Sequence, residues 1–259
     1  TLGRILLLLI PPSSGEVLCD GENLASKKKP ELARFRKRLQ IIPQHPEDAF
    51  NPGWKVRRSI LEPYAIHPDL TPGNMKNERL LDLLKRTGLN PDYVNRYPHQ
   101  LSGGELQRAA IARTLALEPE FIVCDEPTSM LDVSVQASII HLLKEIQQST
   151  GITYLFITHD IMLARIMGDR VGVMHNGRIV EEGPGILDTA LHPYTRALRD
   201  NTIRGDHHGE KTGGESHSHG CLWSPVCAYA DDACTVLPPL RAYNGIRIRC
   251  HHPDLLQQA

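Results

Sequence analysis

Three observations in this 259-residue chain predict an α/β layered fold. Short runs of β-branched and aromatic residues alternate with stretches of helical spacing. Pro and Gly stand at the ends of those runs. The length suffices for one sizeable core and an appendage. In chain order, a leucine-rich segment after Thr1 reads as a helix. Glu16 to Leu24 reads as strand, Asp20-Gly21 turn and strand exit. Basic residues from Lys27 to Arg38 lead into a strand over Arg38 to Ile42, closed by Pro43 and Pro46. From Lys76 to Thr87 the leucines at 80, 81, 83 and 84 follow a helical period that Gly88 ends. A second helix follows Ser102-Gly103-Gly104 and stops before Pro119. Phe121 to Cys124 is a short buried strand, Ser138 to Gln148 a helix ending near Gly151, and Ile152 to Ile157 another strand. Asn176-Gly177, flanked by Val171–Met174 and Arg178–Val180, marks a hairpin.

Composition excludes several classes. Hydrophobic residues make up 41% and charged residues 23%, as in ordinary globular proteins. A net charge of −1 gives no electrostatic reason to expect nucleic acid or an anionic membrane surface as partner. The longest apolar run, Ile5 to Ile10, is six residues, against about 20 for a membrane span.

The functional motifs lie in the middle of the chain. Leu101-Ser-Gly-Gly-Glu-Leu-Gln-Arg108 opens a helix on glycines, so free N–H groups and the positive end of the helix dipole face the Ser102–Glu105 turn. That arrangement suits phosphate, although Ser102 is also an ordinary helix cap. Phe121 to Asp132 is a hydrophobic strand ending in Asp125-Glu126. The first carboxylate is suited to holding Mg²⁺ and the second to acting on a nucleophilic water. His159 follows the next strand.

In this order, the motifs resemble the nucleotide-binding subunit of an ABC transporter. The resemblance implies a P-loop NTPase-like ABC ATPase core with a helical subdomain, and hydrolysis of ATP with Mg²⁺. It makes Gln44 the Q-loop glutamine that senses Mg²⁺ and water. Asp125 becomes the Mg²⁺-holding carboxylate, Glu126 the residue acting on water and His159 the switch histidine. Asp132 becomes the D-loop aspartate, and Ser102, Gly103, Gly104 and Glu105 the phosphate grip offered to a second subunit. No G-x-x-x-x-G-K-[ST] run occurs in the chain. Thr1-Leu2-Gly3-Arg4 resembles the segment immediately C-terminal to that loop, so the resemblance implies an N-terminal truncation, with Thr1 beside the α-phosphate.

Ile41 to Pro63, Pro127 to Gln136 and His192 to Leu198 resemble the oligopeptide, dipeptide and nickel importer branch. The branch implies a second ATPase subunit, paralogous or identical, and two transmembrane permease subunits. An extracytoplasmic substrate-binding protein is an indirect partner. The expected location is peripheral, on the cytoplasmic face of the inner membrane. Transport of peptide, nickel or another small solute is the expected work. A soluble non-transport ABC ATPase is one alternative, and a non-hydrolysing remnant is another.

The sequence divides into an ATPase domain (1–200), a His- and Gly-rich linker (201–220) and a Cys-rich extension (221–259). The linker histidines 207, 208, 217 and 219 read as a solvated hinge, with metal capture as the alternative. Cys221, Cys227, Cys234 and Cys250 have the spacing C-x5-C-x6-C-x15-C. Disulfides are disfavoured in a reducing compartment, and the C-x2-4-C pairs common in structural zinc sites are absent. A cubane tolerates irregular spacing. A [4Fe–4S] cluster, zinc and free thiols all remain open on the residues alone. The branch resemblance implies the [4Fe–4S] cluster.

Overall fold

The computed structural model describes residues 1–70, 75–200 and 220–254. The chain forms two compact units, Thr1–His159 and Asp160–Ala259.

In the first unit, helix α1 (Leu2–Leu6) precedes the two-residue strands β1 (Leu18–Cys19) and β2 (Glu22–Asn23), which pair antiparallel around Asp20-Gly21. The basic stretch forms helix α2 (Lys29–Arg38), with Glu31 in its first turn and Arg36, Lys37 and Arg38 in its last, as the helix dipole favours. Strand β3 (Leu39–Ile42) comes directly after it. Helices α3 (Val56–Ile66), α4 (Lys76–Thr87) and α5 (Gly103–Leu115) pack on one another through Val56, Ile60, Tyr64, Leu80, Leu83 and Leu84. Each such burial is worth roughly 1.5–3 kcal/mol. This is the expected helical subdomain.

Strand β4 (Phe121–Asp125), helix α6 (Val133–Thr150) and strand β5 (Thr153–Ile157) complete the unit. The three longer strands form a parallel sheet in the order β3-β4-β5, with Ile42 opposite Cys124 and Asp125 opposite Ile157. Ile42, Ile122, Val123 and Cys124 are buried. Such near-continuous apolar strands are the mark of a sheet covered on both faces. Helix α6 begins five residues before the expected Ser138. Asp132 accepts hydrogen bonds from the backbone N–H groups of Ser134 and Val135, so the cap fixes the start rather than the first apolar repeat.

In the second unit, helix α7 (Ile161–Met167) is capped by Asp160 and leads to strands β6 (Val171–His175) and β7 (Arg178–Gly183) around Asn176-Gly177. Helix α8 (Pro193–Arg199) starts at the His192 cap. The tail adds strands β8 (Arg241–Tyr243) and β9 (Ile246–Ile248), and the sheet order is β6-β7-β9-β8, all antiparallel. The β8–β9 turn is Asn244-Gly245, with φ of +46° and +84°, the same hairpin chemistry as at Asn176-Gly177. Residues 241–248 therefore share a sheet with residues 171–183. The linker histidines at 207, 208, 217 and 219 lie outside the described residues.

Among the described residues, no helix is long and apolar enough to cross a membrane.

Candidate functional site

Strand β4 delivers Asp125 and Glu126 to the C-terminal edge of the parallel sheet, where ligands bind in α/β folds. The chain turns sharply there. Glu126 has φ of +47°, a left-handed conformation that a non-glycine residue adopts at a cost. The turn is held by hydrogen bonds from the N–H of Glu126 to the Ile157 carbonyl (3.0 Å) and from the N–H of Ser129 to the Glu126 carbonyl (3.2 Å).

The turn aims the Glu126 carboxylate between two other predicted residues. Gln44 Nε2, just beyond β3, donates to Glu126 Oε2 at 3.1 Å. His159 Nδ1, just beyond β5, lies 3.3 Å from the same oxygen. Three residues separated by up to 115 positions thus meet because three adjacent parallel strands end side by side. The His159 side chain is 76% exposed and that of Glu126 27% exposed, so the cluster opens to solvent. The side chain of Asp125, half-buried beside it, makes no hydrogen bond or ion pair among the described residues.

Ser102 caps α5. Its hydroxyl accepts from the Glu105 N–H at 3.4 Å, and Glu105 Oε2 accepts from the Ser102 N–H at 2.8 Å. That backbone bond, aided by the Ser102 hydroxyl, holds the Glu105 carboxyl below its usual range. A Cβ on Gly104 would come within 2.5 Å of Val135 Cγ1 in the first turn of α6. Gly104 is therefore needed for packing as well as for any approach of phosphate. Arg108, which ends the motif, donates to the Thr87 carbonyl and to Ser138 Oγ, both at 2.6 Å, tying α5 to α4 and α6. Asp132 caps α6, and its bonds to Ser134 and Val135 lower its carboxyl pKa. Thr1 occupies the N-cap position of α1 without a side-chain cap bond. Among the described residues, no hydrogen bond or ion pair joins Ser102–Glu105, Asp132 or Thr1 to the Glu126 cluster.

In the tail, Cys221, Cys227, Cys234 and Cys250 line one small pocket, with Trp223 and Tyr229 in its wall. All six cysteines of the chain are unpaired. Burial pushes the Cys227, Cys234 and Cys250 thiols up, and mutual repulsion with neighbouring thiolates adds to it. Next to Cys234, two residues that sequence reasoning missed, Asp231 and His252, bring their ligand atoms within 4.8 Å of each other and of its sulfur. Neither belongs to a recognisable metal spacing, so no sequence signal marked them.

The ABC transporter family profile matches residues 1–129. A putative peptide import ATP-binding protein of Brucella abortus is 39% identical over 262 residues, covering 97% of this chain and 78% of that protein. The chain belongs to the ABC transporter ATP-binding family. The oligopeptide transport ATP-binding protein OppF of Bacillus subtilis is 43% identical over 201 residues, 76% of this chain and 66% of its own length. Among solved structures, a dimeric ATP-binding cassette in a post-hydrolysis state with ADP and Pi matches with TM-score 0.62 and 31% identity, over 71% of this chain and 78% of that one. The cassette cbiO1 of Clostridium perfringens matches with TM-score 0.63 and 28% identity, over 78% of each chain. The ABC ATPase fold of this chain, and with it ATP as substrate, follows from family membership.

Proposed function

We propose that this chain is the ATP-hydrolysing subunit that energises import of peptides through an ABC transporter. The observation that carries the reading is the meeting of Gln44 and His159 on one oxygen of Glu126. A carboxylate oriented from two sides at a solvent-open sheet edge is placed to accept a proton from an attacking water. Gln44 orients the carboxylate, and His159 would meet the charge that builds on the terminal phosphate. Asp125, an oxygen donor with no cation of its own, and the Gln44 amide oxygen suit Mg²⁺, a hard cation that takes such ligands. Bound Mg²⁺ would neutralise charge on the transferred phosphoryl group.

The Ser102–Glu105 turn carries the positive end of a thirteen-residue helix. No hydrogen bond or ion pair ties it to the Glu126 cluster among the described residues, which suits a composite site in which one copy's turn closes on nucleotide held by another copy or a paralogue. Asp132, the cap of the helix after the Glu126 turn, is the candidate D-loop aspartate at that joint, and Thr1 the candidate contact to the α-phosphate. Two membrane-embedded permease subunits are the partners such closure would drive. They would place the chain at the cytoplasmic face of the membrane, with the solute-binding protein reached only through them.

In the tail, the four cysteines suit a [4Fe–4S] cluster of structural role. One tetrahedral zinc, with Zn–S of about 2.3 Å, would draw its thiolates to roughly 3.8 Å of one another. Among the described residues, no three of the four thiols lie within 4.8 Å of one another, which favours a larger group. Such a group would be held by Cys221, Cys227, Cys234 and Cys250 and would staple a segment too short to build a core of its own.

The test is steady-state ATP hydrolysis by a chimaera in which a strand and G-x-x-x-x-G-K-S loop of this family precede Thr1. Glu126→Gln should lower turnover by roughly 10²–10⁴-fold with KM little changed. Turnover within a few-fold of the parent removes Glu126 from the chemistry.

A further inference from the structure

The corner of the tail cavity at Cys234 differs from the other three. Asp231 and His252 bring a carboxylate and an imidazole against this sulfur alone, all three ligand atoms within 4.8 Å of one another. Cys234 is buried, His252 is half-buried and Asp231 is exposed. His252 Nε2 is closed off from solvent and faces Asp231 Oδ1 at 3.0 Å, an ion pair when the imidazole is protonated. A cation seated there would replace that proton, with the imidazole nitrogen, the carboxylate oxygen and the Cys234 thiolate all offering it lone pairs. The loop itself is fixed: Asp231 accepts from the Ala233 N–H at 3.0 Å, and the His252 N–H donates to Cys250 Sγ at 3.4 Å.

We propose that Asp231, Cys234 and His252 form a site for a single zinc-class divalent cation, independent of the other three cysteines. One oxygen, one sulfur and one nitrogen donor match the borderline character of zinc. In a tetrahedral site, bonds of about 2.0–2.3 Å set the donors roughly 3.3–3.8 Å apart, so small side-chain movements within the present spread suffice. Binding forms a metal–sulfur bond and displaces one proton from the Cys234 thiol to solvent. The fourth position is left to water. Cys234 is shared with the four-cysteine centre, so the two occupancies exclude each other, and the mononuclear site fills when iron and sulfide are not supplied.

The experiment uses the full 259-residue chain, prepared iron-free under nitrogen and titrated with Co²⁺ as a spectroscopic substitute for zinc. One equivalent should bind, with the charge-transfer intensity of one cobalt–thiolate bond, and zinc should displace it. The triple variant Cys221→Ser/Cys227→Ser/Cys250→Ser should keep that spectrum. Single variants His252→Ala and Asp231→Asn should each weaken cobalt binding by tenfold or more while all six thiols remain titratable. These single variants decide the matter should the triple variant not fold. A spectrum of three or four thiolates, or binding untouched by His252→Ala, overturns the proposal. Iron and sulfide reconstitution is read separately by its brown colour, so failure of the cluster reading and failure of this site produce different results.

Discussion

Replacing Gly104 by alanine separates the structural from the nucleotide-binding role of the Ser102–Glu105 turn. The new Cβ would stand 2.5 Å from Val135 Cγ1 and 3.8 Å from Val135 Cβ and Cγ2. Ordinary carbon contact is about 3.5–4.0 Å, so the first turns of α5 and α6 must part by about 1 Å. Val135 cannot rotate clear, because a β-branched side chain in a helix has essentially one χ1 well. Overpacking of this kind costs roughly 1–3 kcal/mol. Alanine returns up to about 1 kcal/mol of helix propensity, less at a first turn. The net expectation is a loss of about 1–2 kcal/mol, or roughly 2–8 °C in melting temperature for a unit of this size. Thermal melts of wild type, Gly104→Ala, Val135→Ala and the double variant close a mutant cycle. Val135→Ala removes the clashing atom, so the double variant should recover at least half of the Gly104→Ala loss relative to Val135→Ala alone. Strictly additive effects, or a Gly104→Ala protein as stable as wild type, would refute the packing argument.

Three further outcomes are expected. The family chimaera carrying Ser102→Arg should be inactive alone but regain ATPase activity when mixed with the 259-residue chain, which supplies an intact Ser102 turn; no gain on mixing would place Ser102 at its own chain's site. Anaerobically reconstituted protein should be brown, and Cys221→Ser, Cys227→Ser or Cys250→Ser should bleach it while Cys19→Ser and Cys124→Ser should not; colour retained without any of the first three would dismiss the cluster. Burial, with His175 adding repulsion, pulls the His192 imidazole down to about 4, and its Nδ1 accepts from the Tyr194 N–H at 3.1 Å. As pH falls from about 6.5 toward 4 the unfolded chain takes up a proton that the folded one refuses. His192 should therefore account for a loss of stability on the order of 3 kcal/mol over that window, which His192→Gln flattens in urea titrations; an unchanged pH dependence would show the group titrating normally.

The parallel sheet and its site were legible because local signals there coincide with tertiary ones. Phe121–Cys124 and Ile152–Ile157 are apolar, β-branched and short, and each stops one or two residues before a candidate site residue. Helix α3 was not legible as a helix. Pro63 stands inside it and forfeits the N–H bond that would go to the Ser59 carbonyl, which in sequence argues against continuing a helix. Packing of Val56, Ile60 and Tyr64 on α4 and α5 overrides that signal. The hairpin at Asn244-Gly245 carried the same turn signal as Asn176-Gly177, but its three-residue strands β8 and β9 are too short to show alternation. Pairing with β7 makes them a sheet, and pairing is not a local property. The Asp231–Cys234–His252 corner is likewise a product of the tail's folding, since Cys234 and His252 are 18 positions apart.

The most direct measurement is the identity of the nucleotide trapped by the Glu126→Gln chimaera. If Glu126 acts on the attacking water, the variant still binds ATP and still closes as a dimer, because its phosphate contacts are untouched. Acid-quenched dimer fractions from gel filtration should then contain ATP, while the parent yields ADP and runs as a monomer once ATP is spent. ADP in the Glu126→Gln dimer, formed at the parent's rate, would contradict the account.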